Sequence, residues 1–362
     1  MKIIHLISSP ASGGAEIYVK DLAISMATEG HDVHIIFLCR AAEIGRDLNF
    51  EKKFLSELTE NNISFSFIGN SARKNPMLGI YKTRKIIKKI KPSIIHCHLY
   101  YAAIFCLFSA PRNSNLIYTH HNILIGAPSA IYKLLDIRFK IYVGICDACT
   151  KMLLKLTRRT VVRIDNAVNT LKLKPLIKEK NKQGAVKIIS VGRLTEAKNY
   201  PLLLNAVSKI KHLDFTLEIA GEGPDKVKIQ ELLRNLGLQE KVKLLGAVSD
   251  IPERLAAADI FAMSSSWEGL PVSLIEATLS GLPVIVTNVG GCAEVVEHCK
   301  NGFSVPPDDI TNYSTILTRL IESKKLRLDL SNNAINLSGI YRIENAAKEH
   351  LKLYKNTAIR DH

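Results

Sequence analysis

Two glutamates eight positions apart, Glu268 and Glu276, sit in Ser264-Ser265-Ser266-Trp267-Glu268-Gly269-Leu270-Pro271-Val272-Ser273-Leu274-Ile275-Glu276-Ala277. The run before them, Asp259 to Met263, is short and apolar and reads as a buried parallel strand. Pro271 suits the first turn of a helix, since its missing N–H leaves nothing unpaired there. Val272 to Ser280 continue that helix until Gly281 stops it. The backbone N–H groups around Gly269 to Ser273 are then expected to lie bare at a helix N-terminus, where an anion is favoured. Neither carboxylate would take a phosphate, but both accept hydrogen bonds from sugar hydroxyls. The bland alternative is a surface glutamate and a helix-face glutamate with no shared task. A ligand bearing hydroxyls on either side of a diphosphate, such as a nucleotide-sugar, satisfies the helix end and both carboxylates together.

The elements that must position this stretch alternate strand and helix. The chain opens with a strand over Lys2–Ile7, a loop holding Gly13 and Gly14, a helix over Ile17–Glu29 and a strand over Val33–Leu38. The loop is not GxGxxG, so a nicotinamide site is a weak reading, yet paired glycines let a ligand approach the backbone. Further on, a helix over Phe50–Asn61, a strand over Ser64–Ile68 and a basic helix over Met77–Lys91 lead to a strand, Ser93–His98, ending in His96-Cys97-His98. Another strand feeds Thr119-His120-His121-Asn122, and a helix is expected over Ser129–Phe139. The Lys-rich segment Asn169 to Gly184 reads as a linker. The rhythm then restarts with a strand over Val186–Val191 and the loop Gly192-Arg193-Leu194-Thr195-Glu196-Ala197-Lys198-Asn199. The expected fold class is α/β, with two Rossmann-like doubly wound domains facing across a cleft. Their boundaries are set at 1–168 and 169–340, and a C-terminal helix in 341–362 is expected to pack back toward the first domain.

Composition narrows the class. A chain of 362 residues with 47% hydrophobic and 23% charged residues is an ordinary soluble globular protein of about two domains. No stretch has the ~18 uncharged apolar residues of a spanning helix, and the N-terminus lacks a signal-peptide layout, so a cytosolic protein is expected. Seven scattered cysteines argue against a disulfide framework. Cys146-Asp147-Ala148-Cys149 has CxxC spacing, but no second pair accompanies it to complete a zinc site. The net charge of +15 is uneven: residues 1–165 hold 23 Lys and Arg against 12 Asp and Glu. On the basic helix Arg84, Lys88 and Lys91 share one side with Lys85 beside them, while Ile80, Ile87 and Ile90 can face a core. That arrangement fits docking on an anionic membrane surface. Nucleic acid is not an expected partner, because no recognition motif interleaves aromatic and basic residues.

With these motifs in hand the chain resembles the retaining glycosyltransferases of family 4, which have the GT-B architecture. Four segments carry the resemblance: Gly13-Gly14-Ala15-Glu16, Val191 to Asn199, the Glu268 to Glu276 stretch, and Gly290-Gly291-x-x-Glu294. It implies a donor site made of Gly13, Gly14, Gly192, Arg193, Lys198, Val248, Glu268, Gly269, Leu270, Pro271 and Glu276. Arg193 and Lys198 would neutralise the departing diphosphate, as a bidentate fork and a point charge. Glu276 would hold the ribose, Glu268 the transferred sugar, and Gly246 to Val248 the base, while Gly14 admits the second phosphate. Glu16, His98 and His121 would lie near the sugars or the acceptor, with the register favouring His121 over His120. Arg193, Lys198, Glu268 and His121 are the catalytic candidates.

No metal or other cofactor is implied, in keeping with the lack of any Asp-x-Asp. A metal at His96 and His98 would need further ligands. The implied donor is a UDP-hexose or UDP-N-acetylhexosamine, with GDP-mannose the alternative, and the implied acceptor a lipid-linked, lipopolysaccharide or capsule glycan. A nucleotide-sugar epimerase and a non-catalytic nucleotide-sugar binder are rival readings. The protein would then work in the cytoplasm, peripherally on the inner face of the cell membrane. Ser93, Asn166-Ala167-Val168-Asn169 and Cys146 depart mildly from the family pattern.

Overall fold

The computed structural model describes residues 1–123, 129–173 and 184–359. The chain forms two compact units, Met1–Ala167 with Ile343–His362, and Val168–Arg342. Most of the segment read as a linker, residues 174–183, lies outside the described residues.

The first unit is built on seven strands: β1 (Lys2–Ile7), β2 (Asp32–Phe37), β3 (Ser64–Phe67), β4 (Ile94–His98), β5 (Asn115–His120), β6 (Ile141–Gly144) and β7 (Thr160–Arg163). All pairings are parallel, in the order β3-β2-β1-β4-β5-β6-β7. Winding runs one way from β1 and the other way from β4, so the loops after these two strands flank the reversal point where open α/β sheets bind ligands. Helices cover both faces, which is why β1 and β4 are buried almost throughout. Alternation sorts the side chains. Ile3, Ile7, Ile94 and Ile117 join a core with Tyr18, Leu22, Ile343, Ala347 and Tyr354. Ile4, Leu6, Ile95, Leu116 and Tyr118 join the opposite core with Ile87, Phe105 and Tyr132.

The second unit repeats the plan with β8 (Val186–Val191), β9 (Phe215–Ala220), β10 (Val242–Gly246), β11 (Ile260–Met263), β12 (Val284–Thr287) and β13 (Gly302–Val305). The order β10-β9-β8-β11-β12-β13 is again parallel and puts the reversal between β8 and β11. Strand β13 and the helices Ile310–Glu322 and Lys324–Leu337 were not anticipated from the sequence. Gly302 sits in β13 because a Cβ there would lie 1.9 Å from the Val284 carbonyl oxygen of the neighbouring strand.

Several element ends differ from the sequence reading. The helix expected over Ser129–Phe139 spans only Ala130–Leu135. Pro271 caps its helix rather than opening it, and the helix runs Val272–Leu279 with Gly281 left-handed just beyond. The basic helix is Pro76–Ile90, so Lys91 lies outside it as a left-handed C-cap, where Pro92 forbids continuation. All seven cysteines are free and buried. Among the described residues, no helix is long and apolar enough to cross a membrane.

Candidate active site

In the second unit three loops leave the C-terminal ends of β8, β11 and β12 and lock onto one another. After β8 the chain turns at Gly192, whose missing side chain leaves room for the Lys198 stem: a Cβ there would lie 3.0 Å from Lys198 Cε. Tyr200 donates its hydroxyl to the Gly192 carbonyl at 3.0 Å. The turn Glu196–Lys198 leads to Asn199, left-handed at φ 43°, whose side chain caps the next helix by accepting from Leu202 N–H. The β11 loop grips this turn: Ser264 Oγ donates to the Lys198 and Asn199 carbonyls at 3.0 and 2.9 Å, and Ser266 N–H donates to Ala197 O at 2.8 Å.

The β12 loop supports the β11 loop from below. Thr287 Oγ1 donates to Ser265 O at 2.6 Å, and Gly291 N–H to Gly269 O at 2.7 Å. Gly290, at φ 54°, must be glycine: a Cβ would sit 2.0 Å from the Glu268 carbonyl oxygen and 2.6 Å from that of Gly269. The Gly290-Gly291 motif is thus the floor under Glu268 and Gly269.

These contacts bring two of the candidate catalytic groups together. Lys198 Nζ pairs with Glu268 Oε1, and the same oxygen accepts the Ser265 hydroxyl at 2.8 Å. The Lys198 and Glu268 side chains are only 18% and 14% exposed, so solvent screens the pair weakly. Next to it begins the helix Val272–Leu279, whose N-cap, Pro271, supplies no side-chain hydrogen bond to its first N–H groups. Leu270 and Pro271 are buried, and Glu276 is half-buried about one turn into the helix. Arg193 stands exposed on the β8 loop and Val248 half-buried on the loop after β10. The arrangement offers two cations on one loop, a helix N-terminus on the next, and carboxylates just before that helix and about one turn into it. It suits an anion carrying hydroxylated groups.

In the first unit the helix Gly14–Thr28 starts after Gly13, with no capping side chain but Glu16 in its first turn. The Glu16 carboxylate folds back over Gly13, where a Cβ would meet its Oε2 at 2.2 Å, and Oε1 accepts the Ser8 hydroxyl at 2.7 Å. Burial raises the Glu16 pKa, against the lowering effect of the Ser8 bond. Gly14 is exposed. Arg84, Lys85, Lys88 and Lys91 are all exposed on or just after the basic helix, while Ile87 is buried and Ile80 and Ile90 are half-buried.

The ends of β1, β4 and β5 hold a histidine cluster that the sequence showed only in part. His5 is in register with His96, and His98 with Thr119. Parity of the strands puts His5, His96, His98, Thr119 and His121 on one face, and His120 on the other. His120 Nδ1 lies 3.0 Å from the hydroxyls of both Tyr118 and Tyr132. His121 Nε2 instead shares a hydrogen bond of 3.0 Å with His98 Nδ1, and His98 Nε2 shares one of 3.0 Å with His5 Nδ1. The C-terminal helix Ile343–Ile359 adds His350, bonded to Tyr18, and Tyr354, bonded to His96 Nδ1 at 2.5 Å. Desolvation lowers the pKa of His5, His121 and His350 to about 3 and those of His96 and His98 well below the usual value.

His5, His96 and His98 present ring nitrogens within 4.8 Å of one another, close enough to be weighed as a metal site. Yet both nitrogens of His96 are engaged, by Tyr354 Oη and by Thr119 Oγ1 at 2.6 Å. The facing nitrogens of His5 and His98 satisfy each other. The rings are therefore joined in a hydrogen-bonded network. An unusual concentration of histidine in strand positions was the available signal, since the other buried positions of β1 around His5 are all apolar.

Comparison with known proteins places this geometry. The family described as Glycosyltransferase Family 4 matches residues 12–170, and Glycosyl transferases group 1 matches residues 174–337. The chain belongs to glycosyltransferase family 4. A glycosyltransferase of Haemophilus influenzae is 30% identical over 198 residues, a match covering 54% of this chain and only about half, 55%, of that relative. The Escherichia coli UDP-Gal:alpha-D-GlcNAc-diphosphoundecaprenol alpha-1,3-galactosyltransferase is 25% identical over 374 residues, covering 93% of this chain and 92% of that one. Among solved structures, Anabaena HepE in complex with UDP superposes with a TM-score of 0.81 at 20% identity, covering 98% of this chain and 100% of that one. That likeness establishes the GT-B fold, two Rossmann-like α/β units, for this glycosyltransferase.

Proposed function

We propose that this family-4 glycosyltransferase moves a sugar from a UDP-hexose or UDP-N-acetylhexosamine to a lipid-linked or polysaccharide acceptor, with retention of anomeric configuration and without a metal. The observation that carries the reading is the Lys198–Glu268–Ser265 cluster beside the uncapped helix Val272–Leu279. Arg193, Lys198 and the helix amides neutralise the charge that grows on the leaving diphosphate, so the step needs no bound cation. Glu268 takes hydroxyls of the transferred sugar and Glu276 those of the ribose. His121 addresses the sugar from the first unit, which also receives the acceptor. No side chain of the site is assigned as a covalent nucleophile. The acceptor hydroxyl attacks from the face the diphosphate leaves, and the leaving phosphate oxygen takes the acceptor's proton.

The E. coli relative, named for transfer from UDP-Gal to a diphosphoundecaprenol-linked sugar, supports a lipid-linked acceptor. The basic helix supports work at an anionic cytoplasmic membrane surface. Arg84, Lys85 and Lys88 on it and Lys91 just after it are exposed, and so are Met77 and Tyr81 on the same helix, 78% and 64%.

A thermal-shift panel of nucleotides and nucleotide-sugars tests the core of this reading. A donor at 100 times its dissociation constant stabilises the fold by ~2.7 kcal/mol. With the donor so found, transfer should survive EDTA, and NMR of the product should show the donor's anomeric configuration. No stabilisation by any nucleotide would remove the donor site; inversion or a metal requirement would remove the mechanism.

A further inference from the structure

The basic helix is one of four that cover the same face of the first sheet. The helices Pro76–Ile90, Tyr100–Ser109, Ala130–Leu135 and Asp147–Leu156 pack on Ile4, Leu6 and Ile95 through Ile87, Phe105, Tyr132 and Leu153. The helices Gly14–Thr28, Leu48–Glu60 and Ile343–Ile359 cover the other face, through Tyr18, Phe54 and Ala347. The two layers differ in charge. Residues 70–163, which contain the first layer, hold 17 Lys and Arg against only two acids, Asp136 and Asp147. Both acids are engaged: Asp147 pairs with Lys151, and Asp136 accepts the Tyr142 hydroxyl at 2.7 Å. Residues 1–69 hold 6 Lys and Arg against 9 Asp and Glu. The basic excess of the first unit therefore belongs to one helix layer and the loops at its ends.

The same layer exposes large apolar side chains beyond Met77 and Tyr81 of the basic helix. Tyr101, Phe108, Ile137 and Leu154 are 51–67% exposed. Tyr101 and Phe108 lie two turns apart on one stripe of their helix. In the opposite layer Leu48 is the one large apolar side chain that is exposed among the described residues. Arg138 donates to the Leu107 and Ala110 carbonyls at 3.1 and 3.3 Å, and Arg159 to Asp136 O at 2.8 Å. These bonds join the ends of the last three helices into one surface. Single exposed apolar residues are ordinary, but a group of them ringed by cations has the make-up of a membrane-interface surface. A second copy of the chain would meet this face with like charge. A nucleic acid would neutralise the cations and leave Ile137 and Leu154 without a partner. We infer that this whole helix layer, and not the basic helix alone, lies against an anionic bilayer, with Tyr101, Phe108, Ile137 and Leu154 seated among the headgroups. The inference rests on the membrane reading of the basic helix, and not on the donor or the transfer. The helix Tyr100–Ser109 starts directly after β4, so the layer borders the sheet edge where a lipid-carried acceptor must arrive.

The test is flotation of the full chain with phosphatidylcholine vesicles, with and without phosphatidylglycerol, at low and high salt. Two variants leave the basic helix untouched. One replaces Tyr101, Phe108, Ile137 and Leu154 with Ser; the other replaces Arg112, Lys133, Lys155 and Arg158 with Glu. All eight side chains are exposed, so both variants should keep the wild-type urea midpoint. The wild type should float with the anionic vesicles, and each variant should bind them roughly tenfold or more weakly. The Glu variant should show its loss at low salt, and the Ser variant at both, because salt screens only the charges. Ile137→Trp gives a readout that needs no loss of binding. Above the Trp267 emission of the wild type, its indole should shift to the blue on anionic vesicles. Ser and Glu variants that bind like the wild type would overturn the inference; if Arg84, Lys85, Lys88 and Lys91→Glu then abolished binding, the basic helix alone would be the docking element. An unshifted Ile137→Trp, or a wild type that prefers a DNA duplex to anionic vesicles, would also overturn it. A wild type that ignores vesicles would remove this inference and the membrane reading together, and leave the transferase reading standing. A protein that docks as expected yet transfers no sugar would sink only the transferase reading.

Discussion

Glu268→Gln should tighten binding of UDP while it slows sugar transfer, and the opposite signs follow from one contact. Without ligand, Lys198 Nζ is held by Glu268 Oε1. A diphosphate that needs Lys198 must draw it away from this carboxylate. Glutamine removes the competing charge but keeps an oxygen to accept the Ser265 hydroxyl, now 2.8 Å from Glu268 Oε1. The pair is 18% and 14% exposed, so its coupling lies above the ~0.2–1 kcal/mol of a surface pair and below the ~3–5 kcal/mol for breaking a buried one. If ~1 kcal/mol of that coupling opposes the diphosphate, its removal tightens UDP about fivefold.

Isothermal titration with UDP reads this directly, because UDP lacks the sugar that Glu268 is proposed to hold. Four proteins make the cycle: wild type, Glu268→Gln, Lys198→Met and the double variant. Glu268→Gln should tighten UDP in the wild-type background and do nothing when Lys198 is methionine. Weaker UDP binding in Glu268→Gln would mean that the carboxylate supports the nucleotide instead of restraining Lys198, and the argument would be wrong. Urea midpoints of the same four proteins separate binding from folding.

Further outcomes follow from the same contacts. Arg193→Ala and Lys198→Ala should each lower turnover by an amount equivalent to ~3 kcal/mol, more than they weaken donor binding, because the diphosphate charge grows toward the transition state; unchanged kcat in both would dismiss their role. Replacing Arg84, Lys85, Lys88 and Lys91 with Glu should abolish salt-sensitive cosedimentation with anionic liposomes, and a wild type indifferent to lipid charge would leave the helix a solvated face. Acid should unfold the first unit through its histidines. Above pH 6.5 the imidazoles are neutral whether folded or not; below it the unfolded chain takes up protons that the folded one refuses until about pH 3. Stability should therefore fall with pH across that window, by up to ~1.4 kcal/mol per pH unit for each buried histidine. Urea midpoints that do not move between pH 7 and 5 would contradict the burial argument, and His5→Asn should flatten the slope.

The site of the second unit was legible because its parts are local in sequence. Gly192 to Lys198 and Ser265 to Pro271 each lie within one strand-to-helix connection, and a parallel sheet aims such connections at its C-terminal edge whatever the details. What the sequence hid was how the connections meet. Nothing in Ser264 reveals that its hydroxyl reaches the carbonyls of Lys198 and Asn199, 66 and 65 positions away. Gly290 looked like one member of a motif, but its necessity comes from the Glu268 carbonyl oxygen lying where a Cβ would go. The missed strand β13 is short and holds Gly302, and its pairing depends on the Val284 backbone beside it rather than on any intrinsic preference.

The first unit shows the opposite case, in which chemistry is assembled by register. His96 and His98 could be placed on one face by alternation alone, as could His120 and His121 on opposite faces. Whether His5 joins them depends on β1 pairing with β4 so that residue 5 lies opposite residue 96, which periodicity cannot specify. His350 and Tyr354 enter only when the C-terminal helix returns to the core of Ile3, Tyr18 and Ile94. A buried histidine read singly is a polar residue needing one partner. Four of them from the strands and the β5 loop and one from the C-terminal helix, each answering another or a tyrosine or threonine, become a network in which the protonation of one ring constrains the next. That constraint exists only between residues far apart in the chain, so it belongs to the fold and could not have been read from a motif.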